Sequence, residues 1–414
     1  MSLFSSFPGA HAHPMRGRAA VLAGFLAAVA CSATAQAPPT LGTALQAAWQ
    51  LSASQRSLSH RQDELAARQQ AAGAWLSGAP SVTVSHRSDR FTNNLGLREY
   101  EAGVALPLWS PGVRMATANQ VGADQAALLA EPLAYKLKLA GELRDIAAST
   151  AGAALELALA ERKLGEAKTL LQDTQRRVSS GDSPRIDALQ ASAAERQAAG
   201  LTSQARTAFA ALQAQWRVLT GLAQVAVLDD AAPVSDSVAD HPTLVAAQAR
   251  VRVAQSRLAL AEADRREAPE LGVGITREKA LAGDVAQNAL RLSLRIPFGG
   301  TNRNAPRLAA ARAELGTAYA DFDTTQRQVQ FDFDVARSAL QSAQAAAVLA
   351  NERAAFSAQA QALVAKSYQL GESDLPTRLR ADNDRFEADL AAARTRADLQ
   401  RAIARLHQSS GQLP

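Results

Sequence analysis

Residues Ala289–Phe298 read ALRLSLRIPF, with Leu290, Leu292, Leu294, Ile296 and Phe298 alternating with Arg291, Ser293 and Arg295. Successive side chains of a strand point to opposite faces, so a period of two predicts a sheet apolar on one side and charged on the other. Ten residues is also about the length of a tilted strand across a bilayer's hydrocarbon layer. An edge strand of a water-soluble sandwich carries the same pattern. The stretch alone leaves both readings open.

Its surroundings occur twice. Pro80 and Pro269 open matched segments, SVTVSHR and ELGVGITR, and lie 189 residues apart. Leu106-Pro107-Leu108 matches Ile296-Pro297-Phe298, Gly181 matches Gly371, and Gly221 matches Gly411, each at a separation of 190. A shared offset predicts two tandem copies of one unit. Each copy reads helix, strand, turn, strand, very long helix, tight turn, shorter helix. The expected strands are Ser81–Arg90, Glu99–Leu108, Glu270–Arg277 and Ala289–Phe298. In the second of them Tyr100, Ala102, Val104, Leu106 and Leu108 share one face, and Glu99 and Glu101 the other.

Leu41–Ser77 is expected to form one helix, stopped by Gly78-Ala79-Pro80. From Ser110-Pro111-Gly112 a helical run of about 67 residues continues to about Val178, roughly 100 Å at the helical rise. Leu157, Leu164, Leu171 and Val178 fall at intervals of seven, as do Leu308, Leu315, Phe322 and Val329. Leu349, Phe356, Leu363 and Leu370 continue the spacing in a shifted register. A strict seven-residue repeat predicts left-handed supercoiling against neighbouring helices. The tight turns are Val178–Arg185 and Tyr368–Pro376. There Gly181 and Gly371 end a helix, and Asp182 or Ser183, and Ser373 or Asp374, can cap the next. Leu222–Asp240 links the copies.

The chain's 414 residues carry a formal charge of +5, with cations and anions mixed along the helices and only 5% aromatic residues. That argues for solvated faces and against nucleic-acid binding. Arg16 and Arg18, the apolar run Ala19–Ala30 and the small residues CSATAQA read as a secretory signal peptide, over residues 1–37. Ala33-Thr34-Ala35 offers a cleavage site, and Cys31 offers lipidation of a new N-terminus instead. One cysteine excludes a disulfide framework or a thiolate zinc site. His60, His86, His241 and His407 are scattered without ligand spacing, and His11 and His13 lie in the leader. Asp332 and Asp334 are two apart, so a helix turns them to different faces. Gly299-Gly300 lacks a phosphate-loop pattern. Neither a metal nor a cofactor is expected, nor an enzyme.

Four strands are too few to close a barrel with a lumen, and an open sheet edge cannot face lipid because its backbone groups go unpaired. Three chains would supply twelve strands, an even number in the range of outer-membrane barrels. The duplicated helix–hairpin–long helix–turn–helix, the strand exits ALPLWSPGVR and LRIPFGGTNRN, and the two glycine turns together resemble the TolC family of outer membrane efflux proteins. The fold expected is therefore mainly α with a small membrane β part: long coiled-coil hairpins and four strands per protomer, forming a trimeric β-barrel and an α-helical tunnel. The two repeats would cover residues 38–221 and 242–414, with a linker at 222–241.

The resemblance implies a homotrimer in the outer membrane, in contact with its lipid. It would be the passive exit duct for an inner-membrane pump and a periplasmic adaptor. The compact hairpin loops and the exit IPFGGTNRN resemble the heavy-metal branch, with multidrug efflux or type I protein secretion as alternatives. A periplasmic adaptor or a coiled-coil structural protein fits less well, since the first needs a lipoyl-like β module and the second gives the hairpins no purpose. By the same resemblance Gly181, Asp182, Gly371 and Glu372 would form the adaptor-docking tip. Any acidic gate would have to use Asp187, Glu372 or Asp374, since Gln190, Thr377 and Arg380 stand where the family often has acidic residues. Glu99, Glu101, Arg291 and Arg295 should line the barrel lumen.

Overall fold

The computed structural model describes residues 39–228, 237–299 and 301–414. The expected signal peptide with Cys31, and part of the linker, lie outside the described residues. The elements run α1 (Leu41–Leu51), α2 (Ala53–Gly73), β1 (Ser81–Ser88), β2 (Arg98–Pro107), α3 (Val113–Ser180), α4 (Arg185–Thr220), α5 (Pro242–Ala263), β3 (Glu270–Lys279), β4 (Gln287–Arg295), α6 (Thr301–Gln369) and α7 (Leu375–Ser409). Both copies of the repeat thus hold the predicted order, from α2 to α4 and from α5 to α7.

The first expected helix is two. Ser52 adopts an extended conformation (φ −70°, ψ 145°), donates its amide to Trp49 O at 3.0 Å and accepts from the Gln55 amide at 3.2 Å. It therefore ends α1 and caps α2 at once, because a serine hydroxyl competes for backbone donors that a helix would leave unpaired. The helix also stops at Gly73 rather than Ser77. The fourth strand ends at Arg295, so Ile296, Pro297 and Phe298 continue past the ladder. Pro297 has no N–H to extend it.

Helices α3 and α6, 68 and 69 residues long, are each about 100 Å. Along its first part α3 packs on α2 and α5, and along its last part on α4 and α7; α6 packs on α5 and then α7. Alanine is the commonest buried residue among those described, so neighbouring helices approach closely with few large side chains between them. The largest cluster sits midway along α3, where Leu139, Ala140, Leu143 and Ile146 meet Leu41, Leu45 and Ala48 of α1 and the fully buried Trp216 of α4. Strands lie beyond one end of the long helices and the glycine turns at the other. No described helix is long and apolar enough to cross a membrane.

The strands form one antiparallel sheet in the order β1-β2-β3-β4. Its joints to the long helices use repeat-equivalent donors. Arg114 at the start of α3 donates to Gly73 O at 2.6 Å, and Asn304, 190 residues later at the start of α6, donates to Ala261 O at 2.9 Å. Trp109 Nε1 donates to Ala74 O at 2.9 Å, and Ser77 N to Pro107 O at 3.1 Å. Each otherwise unpaired helix-end carbonyl named here gains a donor from the element that leaves the sheet.

Candidate functional site

The register fixes which side chains share a face. Val82 lies opposite Val104, Val104 opposite Val273, and Val273 opposite Leu292. On the same face are Val84, Leu106, Leu271, Ile275, Leu290 and Leu294, giving a continuous apolar band. Strand β4 is exposed along its whole length, and no helix covers its leucines.

The opposite face carries Glu99, Glu101, Arg291 and Arg295 together. Arg291 reaches across β3 to pair with Glu101. Its path crosses the paired Gly103 and Gly274, where a Cβ added to Gly274 would come within 3.1 Å of Ala102 O. Arg295 pairs with Glu270 at 3.5 Å and Arg87 with Glu99 at 3.9 Å. The sequence reading did not include Glu270 and Arg87 among the charged residues of this face, although strand alternation places both on it. The charges there are of mixed sign and locally paired, a wet surface with little net field.

At the far end of the long helices, the two glycine turns have the same construction. Gly181 (φ 86°) donates to Val178 O at 3.2 Å and Asp182 to Arg177 O at 2.8 Å; Gly371 (φ 79°) donates to Tyr368 O at 3.2 Å and Glu372 to Ser367 O at 3.0 Å. These are paired helix-ending bonds around a left-handed residue. Beneath them, Ala191, Tyr368 and Leu375 form a buried cluster with Leu170, Leu171 and Leu379, so both turns stand at one end of the fold. Gly181, Asp182, Gly371 and Glu372 are all exposed there.

The caps differ from expectation on one side. Asp374 does cap α7, accepting from the Thr377 amide at 3.0 Å, and hydrogen bonds from the Thr377 side chain and backbone hold its carboxyl below the ordinary value. In the first turn neither Asp182 nor Ser183 caps α4. Pro184 takes that position without a side-chain bond, and Asp182 accepts instead from the Ser180 hydroxyl at 2.7 Å. Proline's extended backbone starts the helix with no donor to satisfy. Asp187 is half-buried in the first turn of α4.

A charged network between the two helical hairpins was not foreseen. Arg385 of α7 lies 3.7 Å from Asp389 and 4.0 Å from Glu166, and Asp389 pairs with Arg162 of α3. Lys163 stands 4.0 Å over the Phe386 ring, where burial lowers its pKa and Glu387 and Asp382 partly restore it. Arg385 and Asp389 are one helical turn apart, but the contacts that join α3 to α7 link residues more than 200 apart in the sequence, so no local spacing announces them.

The seven-residue stripes divide in two. Leu157, Leu164, Leu171 and Val178 are half-buried within the chain, as are Leu308, Leu315 and Phe322. Leu349, Phe356, Leu363 and Leu370 are 65–72% exposed. The buried stripe of α6 lies two positions earlier in each heptad, at Ala347, Gln361 and Tyr368. Among the described residues no group of three His, Cys, Asp or Glu is placed to hold a metal ion.

This arrangement of a four-stranded sheet on two 100 Å hairpins matches solved structures closely. The outer-membrane channel OprN superposes with a TM-score of 0.73 at 18% identity, covering 90% of each chain. CusC, described for its transmembrane channel formation, gives 0.72 at 15% identity over 90% of this chain and 92% of its own. The outer membrane protein VceC from Vibrio cholerae gives 0.70 at 17% identity over 90% and 96%. The chain has the TolC-type outer-membrane channel fold. The sequence matches no family model and no curated protein. Within the channel fold, the two-faced sheet and the glycine turns occupy opposite ends of the long helices.

Proposed function

We propose that this chain is one protomer of a homotrimeric outer-membrane channel-tunnel, the passive exit duct of a tripartite efflux system. The observation that carries the reading is a sheet with an uncovered apolar face, a paired-charge face and two open edges. Four alternating strands leave β1 and β4 antiparallel across a junction with the next copy, so repeating the sheet three times closes a twelve-stranded barrel with no unpaired edge. The apolar band then meets lipid, and Glu99, Glu101, Arg291 and Arg295 line the lumen. The uncovered α6 stripe gives the neighbouring copy a seam to pack against, which seals the helical tube in the periplasm.

In this reading the exposed turns at Gly181, Asp182, Gly371 and Glu372 receive a periplasmic adaptor, which connects the duct to an inner-membrane pump. Asp187 supplies the acidic constriction at this end, where the Asp374 carboxylate is already held as a helix cap. The cargo proposed is heavy-metal cations, supported by compact hairpin loops that leave the barrel mouth open. The chain contributes a wet conduit, with selection made by the pump.

The test is a susceptibility panel on a clean deletion strain, comparing zinc, cobalt, cadmium, copper and silver with amphiphilic drugs and bile salts. Loss of metal tolerance alone, restored by the gene, supports the proposal. Sensitivity to drugs and bile salts alone retains a duct and refutes the metal assignment.

A further inference from the structure

Where the apolar face of the sheet meets the hairpin loops, its chemistry changes within two rows of residues. The row His86–Tyr100–Arg277–Asn288 runs across all four strands, and the next row outward holds Ser88, Arg98 and Lys279. Arg98 and Lys279 are directly opposite each other, and Arg277 follows two positions along β3 on the same face. Directly opposed like charges destabilise a sheet unless something outside it compensates.

The protein does not compensate them. Every arginine of the other face has a carboxylate partner: Arg87 with Glu99, Arg291 with Glu101, Arg295 with Glu270. Among the described residues Arg98, Arg277 and Lys279 have no ion-pair partner; Arg98 donates only to the Ser88 hydroxyl, at 3.3 Å. The nearby glutamates, Glu99, Glu101 and Glu278, point through the sheet to the opposite side. The two loop carboxylates are occupied by their own turns, Asp89 accepting from Gly96 N and Asp284 from Leu281 N, each at 3.1 Å. Beside the cations, the His86 and Tyr100 rings stack with centroids 4.4 Å apart. Such part-polar rings suit the boundary between hydrocarbon and headgroups.

We propose that Arg98, Arg277 and Lys279 form a binding site for the phosphate of a lipid headgroup, in the leaflet at the loop end of the barrel. The inference rests on the reading above that this face meets lipid. Three cations projecting from one face, spaced by one cross-strand step and two residues of strand, converge on a tetrahedral anion that arginine contacts in two places. The acyl chains of the same lipid lie along Val84, Ile275 and Leu290, which begin where the cations end. The site commits to a phosphorylated lipid because the cations continue an apolar band rather than opening into water.

The experiment uses the full chain, assembled in detergent, titrated with bis-phosphorylated lipid A, with its dephosphorylated form, and with inorganic phosphate, read by native mass spectrometry. Retention of bis-phosphorylated lipid A is expected to weaken about tenfold or more in the Arg98→Gln/Arg277→Gln/Lys279→Gln variant. A control variant, Lys168→Gln/Arg196→Gln/Lys366→Gln on the helices, should match the parent. Equal retention by the triple variant, or equal binding of dephosphorylated lipid A, overturns the site. Displacement of lipid A by equimolar inorganic phosphate also overturns it, assigning the cations to free phosphate. Flotation with phosphatidylcholine vesicles keeps the two claims apart. A chain that does not float sinks the membrane reading itself, whereas one that floats without phosphate preference sinks only the lipid site.

Discussion

Leu292 lies at the centre of the row Val82–Val104–Val273–Leu292, midway along the apolar band, and is 73% exposed in the isolated chain. In the proposed barrel, replacing it by arginine would place a cation at bilayer mid-depth at a cost of about 2–4 kcal/mol per protomer. Three copies of the change cost about 6–12 kcal/mol, comparable with the whole stability of a folded domain. Arg291 is the adjacent residue on the opposite face. Arg291→Ala removes its pair with Glu101, but both side chains are partly exposed, at 53% and 29%, so the loss is about 0.2–1 kcal/mol. Leu292→Arg is therefore expected to abolish outer-membrane trimer, and Arg291→Ala to leave it near parental levels. The assay is membrane fractionation followed by electrophoresis without boiling, which resolves trimer from monomer. Equal assembly of the two variants would refute the face assignment, because a one-residue slip in register exchanges the faces.

Gly371→Val should lower efflux while leaving a trimer that melts close to the parent. Nothing within 4 Å obstructs a Cβ, but φ of 79° strains a β-branched residue, and the distortion falls on an exposed turn; parental export would count against a tight docking turn. The Asp374 cap should be pH-dependent. Its carboxyl is held below the ordinary value of 3.8, so its stabilisation is complete above that value and is lost as pH falls through the lower folded value. Hydrogen exchange of the turn peptide should loosen on acidification in the parent, whereas Asp374→Asn, which keeps a cap without a titrating group, should show no such step. Trp216→Ala should destabilise by about 3–5 kcal/mol, because a fully buried indole leaves a cavity in the largest core cluster. Trp216→Phe should cost much less, since the indole N–H has no partner among the described residues; thermal unfolding of the two variants checks the order.

What could be read in the sequence depended on how local its physics is. The alternation in ALRLSLRIPF set the faces of β4, because a strand's side-chain period needs no distant information. The glycine turns at 181 and 371 were legible for the same reason. Gly96 and Gly283, and Gly112 and Gly299, are also left-handed pairs, each 187 apart, and were missed because the loops around them shift the offset. Ser52 was missed because a serine inside a helical pattern is compatible with both continuation and capping. The heptad at Leu349 was visible, but its outward direction was not. That depends on which alternative stripe α7 covers, here Ala347, Gln361 and Tyr368. The ion pairs between α3 and α7 join residues whose proximity exists only once both hairpins are docked.

On the proposed trimeric barrel, the two open sheet edges make the abundance of the chain a variable in its own insertion. A protomer that meets the membrane alone has β1 and β4 backbone groups that water satisfies and lipid does not, so the barrier to crossing falls only as copies associate. Insertion should then rise more steeply than linearly with expression. A minority of copies that associate but cannot insert would poison mixed complexes, and the wild-type phenotype would be lost while most of the chains present were still sound.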